Sequence, residues 1–155
     1  MFADKIEFLK NGLVPLLRSI PLATPPRFGK MTLQQMTEHF TDSVRVASGR
    51  LANNKVVTPE DQLPRMLAFL MSDKPFPQGI ANPLLSEVPA PVRNKDFNAA
   101  LDELDAELGQ FFARFEANPH LTTIHPYFGV LNFEENVQAM YKHAEHHLRQ
   151  FGVEG

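Results

Sequence analysis

The sequence predicts an all-α protein, a bundle of amphipathic helices with a broken extra segment at the N-terminus. Three observations predict it: apolar residues recur at spacings of three and four over long stretches, helix start and stop residues punctuate the chain, and no stretch alternates as a strand does. Amphipathic helices joined without strands bury their stripes most readily against one another. A chain of 155 residues can bury one real core, so a single domain over residues 1–155 is expected.

The first segment, Asp4 to Ile20, carries Ile6, Leu9, Leu13, Leu16, Leu17 and Ile20, interrupted by Gly12 and Pro15. Pro15 has no backbone donor, so the segment is expected to kink or split near Asn11. Pro21, Pro25 and Pro26 make the next connection, and Thr32 with Gln35 forms a capping box that opens the second helix. Its stripe is Leu33, Met36, Phe40, Val44, Ala47 and Leu51. Thr58 followed by Pro59 reads as an N-cap with proline at the first helical position, starting a third helix that buries Leu63, Met66, Leu67 and Leu70.

From Met71 to Arg93 there are five prolines and no period, which describes a long extended loop and a candidate lid. Asn94 is placed to cap the fourth helix, where Phe97, Leu101, Leu104, Leu108, Phe111 and Phe115 form a bundle seam. After Asn118-Pro119, the short loop His125-Pro126-Tyr127-Phe128-Gly129 leads to Asn132 with Glu135, a second capping arrangement. The fifth helix then runs to Gly152, a natural stop.

Composition narrows the function. The net charge is −3 with Lys and Arg dispersed among Asp and Glu, so no basic stripe is available to follow phosphates, and nucleic acid is not an expected partner. No apolar run approaches the roughly 20 residues needed to cross a bilayer, and no basic stretch followed by an apolar block opens the chain. A cytoplasmic protein without membrane contact is expected. The chain has no cysteine, which excludes disulfides, thiolate nucleophiles and Cys-type metal sites, so any metal must sit on nitrogen and oxygen ligands. Six histidines remain as the chemically interesting residues.

On the fifth helix the stripe is Phe133, Val137, Met140, Ala144, Leu148 and Phe151. At about 100° per residue His147 lies on the edge of this stripe, with His143 one turn earlier on the same flank, while His146 points away towards solvent. Imidazoles at i and i+4 reach one ion, and His39, on the flank of the second helix's stripe, offers a third ligand with a position left for water. The same pair also fits two polar flank residues near a helix C-terminus, where positive charge suits the dipole. His39 equally fits a hydrogen-bonded boundary residue.

His125, before Pro126, reads as a turn residue with a substrate-facing role as the alternative, and His120 reads similarly. Glu38 and Asp42 flank His39 as candidates to orient ligands from outside the site, or as solvated carboxylates. The metalloprotease order His-Glu-x-x-His is absent, since Glu145 stands at the wrong offset. Ser43, Ser48 and Ser86 have no hydrolase constellation around them, and no glycine loop cradles phosphate.

The segment Arg27-Phe28-Gly29-Lys30-Met31-Thr32-Leu33-Gln34-Gln35-Met36-Thr37-Glu38-His39, the His125–Gly129 loop, and Tyr141 to Gly152 together resemble the DinB/YfiT-like metalloenzyme superfamily, in an uncharacterised branch of it. The closing His-x-x-x-His followed by Arg149-Gln150 is the most specific part. The resemblance implies a four-helix bundle with nickel, zinc or iron held by one early and two late histidines, which map onto His39, His143 and His147. It also implies dimers, and relatives that include thiol-dependent S-transferases and isomerases using a low-molecular-weight thiol, beside presumed hydrolases. Function varies across a fold, so the reaction stays open.

The expected function is a metal-dependent enzyme acting on a small molecule, a hydrolase or a thiol-dependent transferase, working as a homodimer. The rival is a non-catalytic bundle for dimerisation or ligand binding, with an incidental or structural metal. Because ligand imidazoles must be neutral, metal is expected to leave as pH falls towards and below about 6.

Overall fold

The computed structural model describes residues 2–52, 55–77 and 89–153 and is mostly helical. The N-terminal segment consists of α1 (Phe2–Glu7) and α2 (Leu13–Ser19), joined by one widened π-turn over Phe8–Gly12. The expected break near Asn11 is therefore a bulge within a continuing helix, which makes room for the Pro15 ring over the preceding turn. Gly12 suits this turn because a Cβ there would stand 3.0 Å from the Phe8 ring.

Helix α3 (Leu33–Ser48) opens with the expected capping box: Gln35 N–H donates to Thr32 Oγ1 at 3.2 Å, and Thr32 N–H donates to Gln35 Oε1 at 2.9 Å. Gly49, at φ 81°, ends it in the left-handed conformation. Leu51 consequently falls beyond the helix and is exposed, outside the stripe to which the spacing assigned it.

The third helix starts later than expected. Pro59 is extended, a 3-10 turn covers Glu60–Gln62, and α4 runs over Leu63–Met71 with Pro64 in its first turn. Had the helix begun at Pro59, Pro64 would stand where its missing N–H is needed; at the start of α4 the loss costs nothing. The Thr58 hydroxyl donates instead to the Tyr127 carbonyl at 2.7 Å.

The part of the expected Met71–Arg93 loop and lid that spans 78–88 lies outside the described residues. Helix α5 (Phe97–Ala117) is capped by Asp96, whose Oδ1 accepts from Ala99 N–H at 2.8 Å, and not by Asn94. The Asn94 side chain donates to Glu38 at 3.0 Å, which removes it from the cap.

A small hairpin corrects the strandless expectation. Strands β1 (Thr123–His125) and β2 (Gly129–Leu131) pair antiparallel, with Thr123 opposite Leu131 and His125 opposite Gly129. Three residues per strand are too few for alternation to register in a sequence. Helix α6 (Phe133–Gln150) follows, opened by the expected Asn132–Glu135 capping box.

The main core gathers Leu9, Leu13 and Leu17 from the broken N-terminal helix and matching stripes from α3, α5 and α6, so that helix supplies the fourth wall of the bundle. A smaller cluster, Leu70, Phe128, Leu131 and Ala139, attaches α4 and the hairpin to the outer side of α6. Thr123 fixes the hairpin at one end: its hydroxyl donates to the Ala47 carbonyl at 2.8 Å and accepts from the Asn136 amide at 3.0 Å.

Lys142, 4% exposed, crosses from α6 to cap α4, its Nζ donating to the carbonyls of Phe69 (2.9 Å), Leu70 (3.3 Å) and Ser72 (3.3 Å). A cation on the carbonyl end of a helix is favoured by the dipole. Among the described residues no helix is long and apolar enough to cross a membrane.

Candidate metal centre

Helices α3 and α6 face each other across the core, and the histidines on the flanks of their stripes converge. Ring centroids are 5.3 Å apart for His39 and His143, 5.2 Å for His39 and His147, and 4.5 Å for His143 and His147. One ring nitrogen from each lies within 4.8 Å of the others, and the two Nε2 atoms of α6 are 2.8 Å apart. Phe40 packs on His143 at 5.1 Å and closes the core side. All three histidines singled out in the sequence are thus brought to one point, positioned to bind a metal ion.

Gln150, which the sequence reading quoted without assigning a role, decides how His147 is presented. Its Nε2 donates to the Phe28 carbonyl at 2.9 Å, so its Oε1, 2.7 Å from His147 Nδ1, must be the acceptor. The proton of His147 therefore sits on Nδ1, and the lone pair of Nε2 faces His39 and His143. A hydrogen bond of this kind to the outer nitrogen fixes the tautomer and orientation of a ligating imidazole. Gly29 permits it: at φ 75°, a Cβ there would stand 2.9 Å from Gln150 Nε2. The signal in the sequence was the i, i+3 spacing of His147 and Gln150.

Electrostatically the three rings are held as free bases. Burial pushes His147 down to about 3, with nearby His39 adding to the effect and the Gln150 bond opposing it. His143 is held well below the usual imidazole range by burial, then by His147 and His39. Burial lowers His39 too, against the pull of the Asp42 charge. Neutral imidazole is the ligating form, and these rings resist protonation below the ordinary histidine value of 6.5.

The donor set fits a borderline divalent ion such as zinc, nickel or iron. Two nitrogens each about 2.0–2.1 Å from one ion stand about 2.9–3.4 Å apart for angles between square and tetrahedral, so the His143–His147 pair needs only a small separation. His39, His143 and His147 would hold such an ion through three nitrogens, which would leave its remaining positions to water or a ligand.

The other candidates resolve differently. His146 is half-buried and does not stand free in solvent: its ring lies 5.2 Å from Phe28 and 5.0 Å from His147, and its Nδ1 is buried without a partner. The connection at Arg27 and Phe28 folds back over the end of α6, Arg27 N–H donating to the Gln150 carbonyl at 2.6 Å, and this covers the face that helical geometry alone leaves open. His125 is the turn residue the sequence suggested, its Nδ1 accepting from the backbone of Tyr127 (3.0 Å) and Phe128 (3.4 Å). His120 is exposed in a turn.

Glu38 does not orient a histidine. Its carboxylate accepts from the backbone of Arg93 (2.9 Å) and Asn94 (3.0 Å), and these bonds outweigh burial to hold it below the usual carboxylate range. Asp42 pairs with Arg45 and Arg93.

Comparison with curated proteins finds no match. The family model of the DinB superfamily matches residues 7–151, nearly the whole chain, and the protein belongs to that superfamily.

Proposed function

We propose that the chain is a metal-dependent enzyme whose divalent ion is held by His39, His143 and His147, acting on a small molecule as a hydrolase or a thiol-dependent transferase. One observation carries the reading: three imidazoles held neutral, His147 buried and His39 and His143 partly buried, converge with their ring nitrogens within 4.8 Å and no carboxylate among them. His143 and His147 share at most one proton between their Nε2 atoms, 2.8 Å apart, so the two nitrogens compete for it unless a cation takes its place. A cation satisfies all three.

When bound, nickel, zinc or iron supplies Lewis acidity, lowering the pKa of a water or a thiol. The chain's own residues do the rest. His39 and the α6 pair hold the site from two helices, Gln150 keeps the Nε2 lone pair of His147 turned inward, and Phe40 walls the site off from the core. With no cysteine in the chain, sulfur in a transferase arrives on a soluble low-molecular-weight thiol. A homodimer in the cytoplasm is the setting we propose.

Elemental analysis of protein purified without an affinity tag tests the reading. About one divalent ion per chain is expected, lost in His143→Ala and His147→Ala; substoichiometric metal that the substitutions leave unchanged would sink it. Ester hydrolysis compared with thiol conjugation of an electrophile then separates the two reactions.

A further inference from the structure

We infer that the Phe28–Gly29 peptide, in the connection between α2 and α3, selects the ligating form of His147 through Gln150, so that this connection is a positioning element of the centre. The inference deepens the metal-centre reading and rests on it.

The selection follows from which atoms can face each other. The Phe28 carbonyl can only accept, so the nitrogen end of the Gln150 amide, 2.9 Å away, must face it. The oxygen end is then left for His147 Nδ1, 2.7 Å distant, and the ring proton sits there. Turned end for end, the same amide would set its oxygen against the Phe28 oxygen and donate to Nδ1. The proton of an uncharged His147 would then move to Nε2 and point an N–H where a lone pair must face the ion. One backbone carbonyl thus separates a ligating His147 from a non-ligating one.

That carbonyl is held by contacts in which the amide takes no part. Arg27 N–H donates to the Gln150 backbone carbonyl at 2.6 Å, the Phe28 ring lies 5.2 Å from His146, and Thr32, three residues beyond Gly29, caps α3. The connection therefore ties the start of the helix that carries His39 to the end of the helix that carries His143 and His147. Gly29 allows the close approach: its φ of 75° is left-handed, and a Cβ there would stand 2.9 Å from Gln150 Nε2. The amide is the far end of a flexible side chain, so an added Cβ displaces it from the Phe28 carbonyl before it displaces the backbone.

Zinc affinity, measured in competition with a chelator, is compared for wild type, Gly29→Ala, Gln150→Leu and the double variant. Gly29→Ala is expected to bind zinc about 10- to 100-fold more weakly, as loss of a partner of a ligating imidazole does. The double variant is expected to bind no more weakly than Gln150→Leu alone, because the connection has then lost its route to the ring. Nitrogen NMR of the metal-free proteins gives a readout that lost stability alone does not move: His147 protonated at Nδ1 in wild type, with an Nε2-protonated share appearing in Gly29→Ala.

Wild-type zinc affinity in Gly29→Ala, losses that multiply in the double variant, an unchanged tautomer in Gly29→Ala, or Nε2-protonated His147 in wild type each overturns the inference and leaves the metal centre standing. Wild type that binds no zinc overturns the centre itself, and this inference with it. Should Gly29→Ala fail to fold, Gly29→Asn, which tolerates the left-handed conformation but carries the same Cβ, is held to the same expectations.

Discussion

Helix α3 carries two polar neighbourhoods within two turns of each other, and they are built on opposite electrostatic plans. On the side facing α6, His39 meets His143 and His147, three bases with no carboxylate among them, held uncharged by burial, which outweighs the pull of Asp42 on His39. On the side facing α5, Arg45 reaches Asp42 and Glu103 at 3.1 Å and Glu107 at 3.2 Å, while Arg93 meets Glu103 at 2.7 Å and Arg50 meets Glu107 at 2.9 Å. There each charge finds its opposite within the protein. The acid Glu103 is held low, hydrogen bonds and ion pairs with Arg93 and Arg45 outweighing burial, and Arg45 is held high. A network closed on itself ties helices together, whereas the histidine cluster has the single Nε2–Nε2 contact of His143 and His147 and no balancing carboxylate within it, which suits it to an added cation. On the reading proposed above, the first region serves function and the second architecture.

The largest effect that sharpens this division follows from removing a base. His147→Ala or His143→Ala is expected to abolish stoichiometric metal, read by elemental analysis, while Arg45→Ala leaves metal content unchanged. Equal loss in all three would mean that the closed network serves the site directly. Next comes Gln150→Leu, which removes the acceptor that holds the proton on His147 Nδ1 but keeps all three ligands. Metal affinity should fall about 10- to 100-fold in competition with a chelator, the usual cost of deleting a partner of a ligating imidazole.

The sequence singled out the three histidines that converge but little of what surrounds them. His143 and His147 were legible because i, i+4 spacing is a property of one helix, and His39 because it flanks a regular stripe. The capping boxes at Thr32 and Asn132 were legible for the same reason, being local. What failed depended on partners distant in the chain. Asn94 was assigned to a cap because nothing local reveals that Glu38, 56 residues away, takes its amide. His146 was assigned to solvent because the fold-back at Phe28 is a tertiary event. Nor does anything local show that Lys142 meets three carbonyls at the end of α4.

The two regions should also separate along the pH axis. For the buried histidines the folded state binds protons less readily than the unfolded chain, whose ordinary value is 6.5, so stability of the metal-free protein is flat above that pH and declines as pH falls below it. For Glu38 and Glu103, also held low, the stabilisation is present above the ordinary value of 4.5 and is lost only below it. Denaturant midpoints measured from pH 8 to 4 should therefore begin to drop near 6.5. In a variant with His39, His143 and His147 all replaced by Gln, that drop should be smaller, His125 retaining its share. An unchanged profile in that variant would mean that these rings are solvated.

The smallest effect tests the architecture alone. Arg93 bonds both Glu103 and Asp42, but its side chain is 38% exposed and that of Asp42 46%, so water screens much of the attraction. Arg93→Ala is expected to cost about 0–1 kcal/mol, a few degrees at most in melting temperature, with metal affinity unaltered. Its backbone N–H still reaches Glu38 in the variant, and that buried bond, 2.9 Å long, keeps the start of α5 fastened to α3. Glu38→Gln should be the costlier change, because the amide can accept from Arg93 but presents a donor where Asn94 N–H and its side chain both need an acceptor. If Arg93→Ala proved the costlier of the two, the ion pairs and not the buried carboxylate would be what joins these helices.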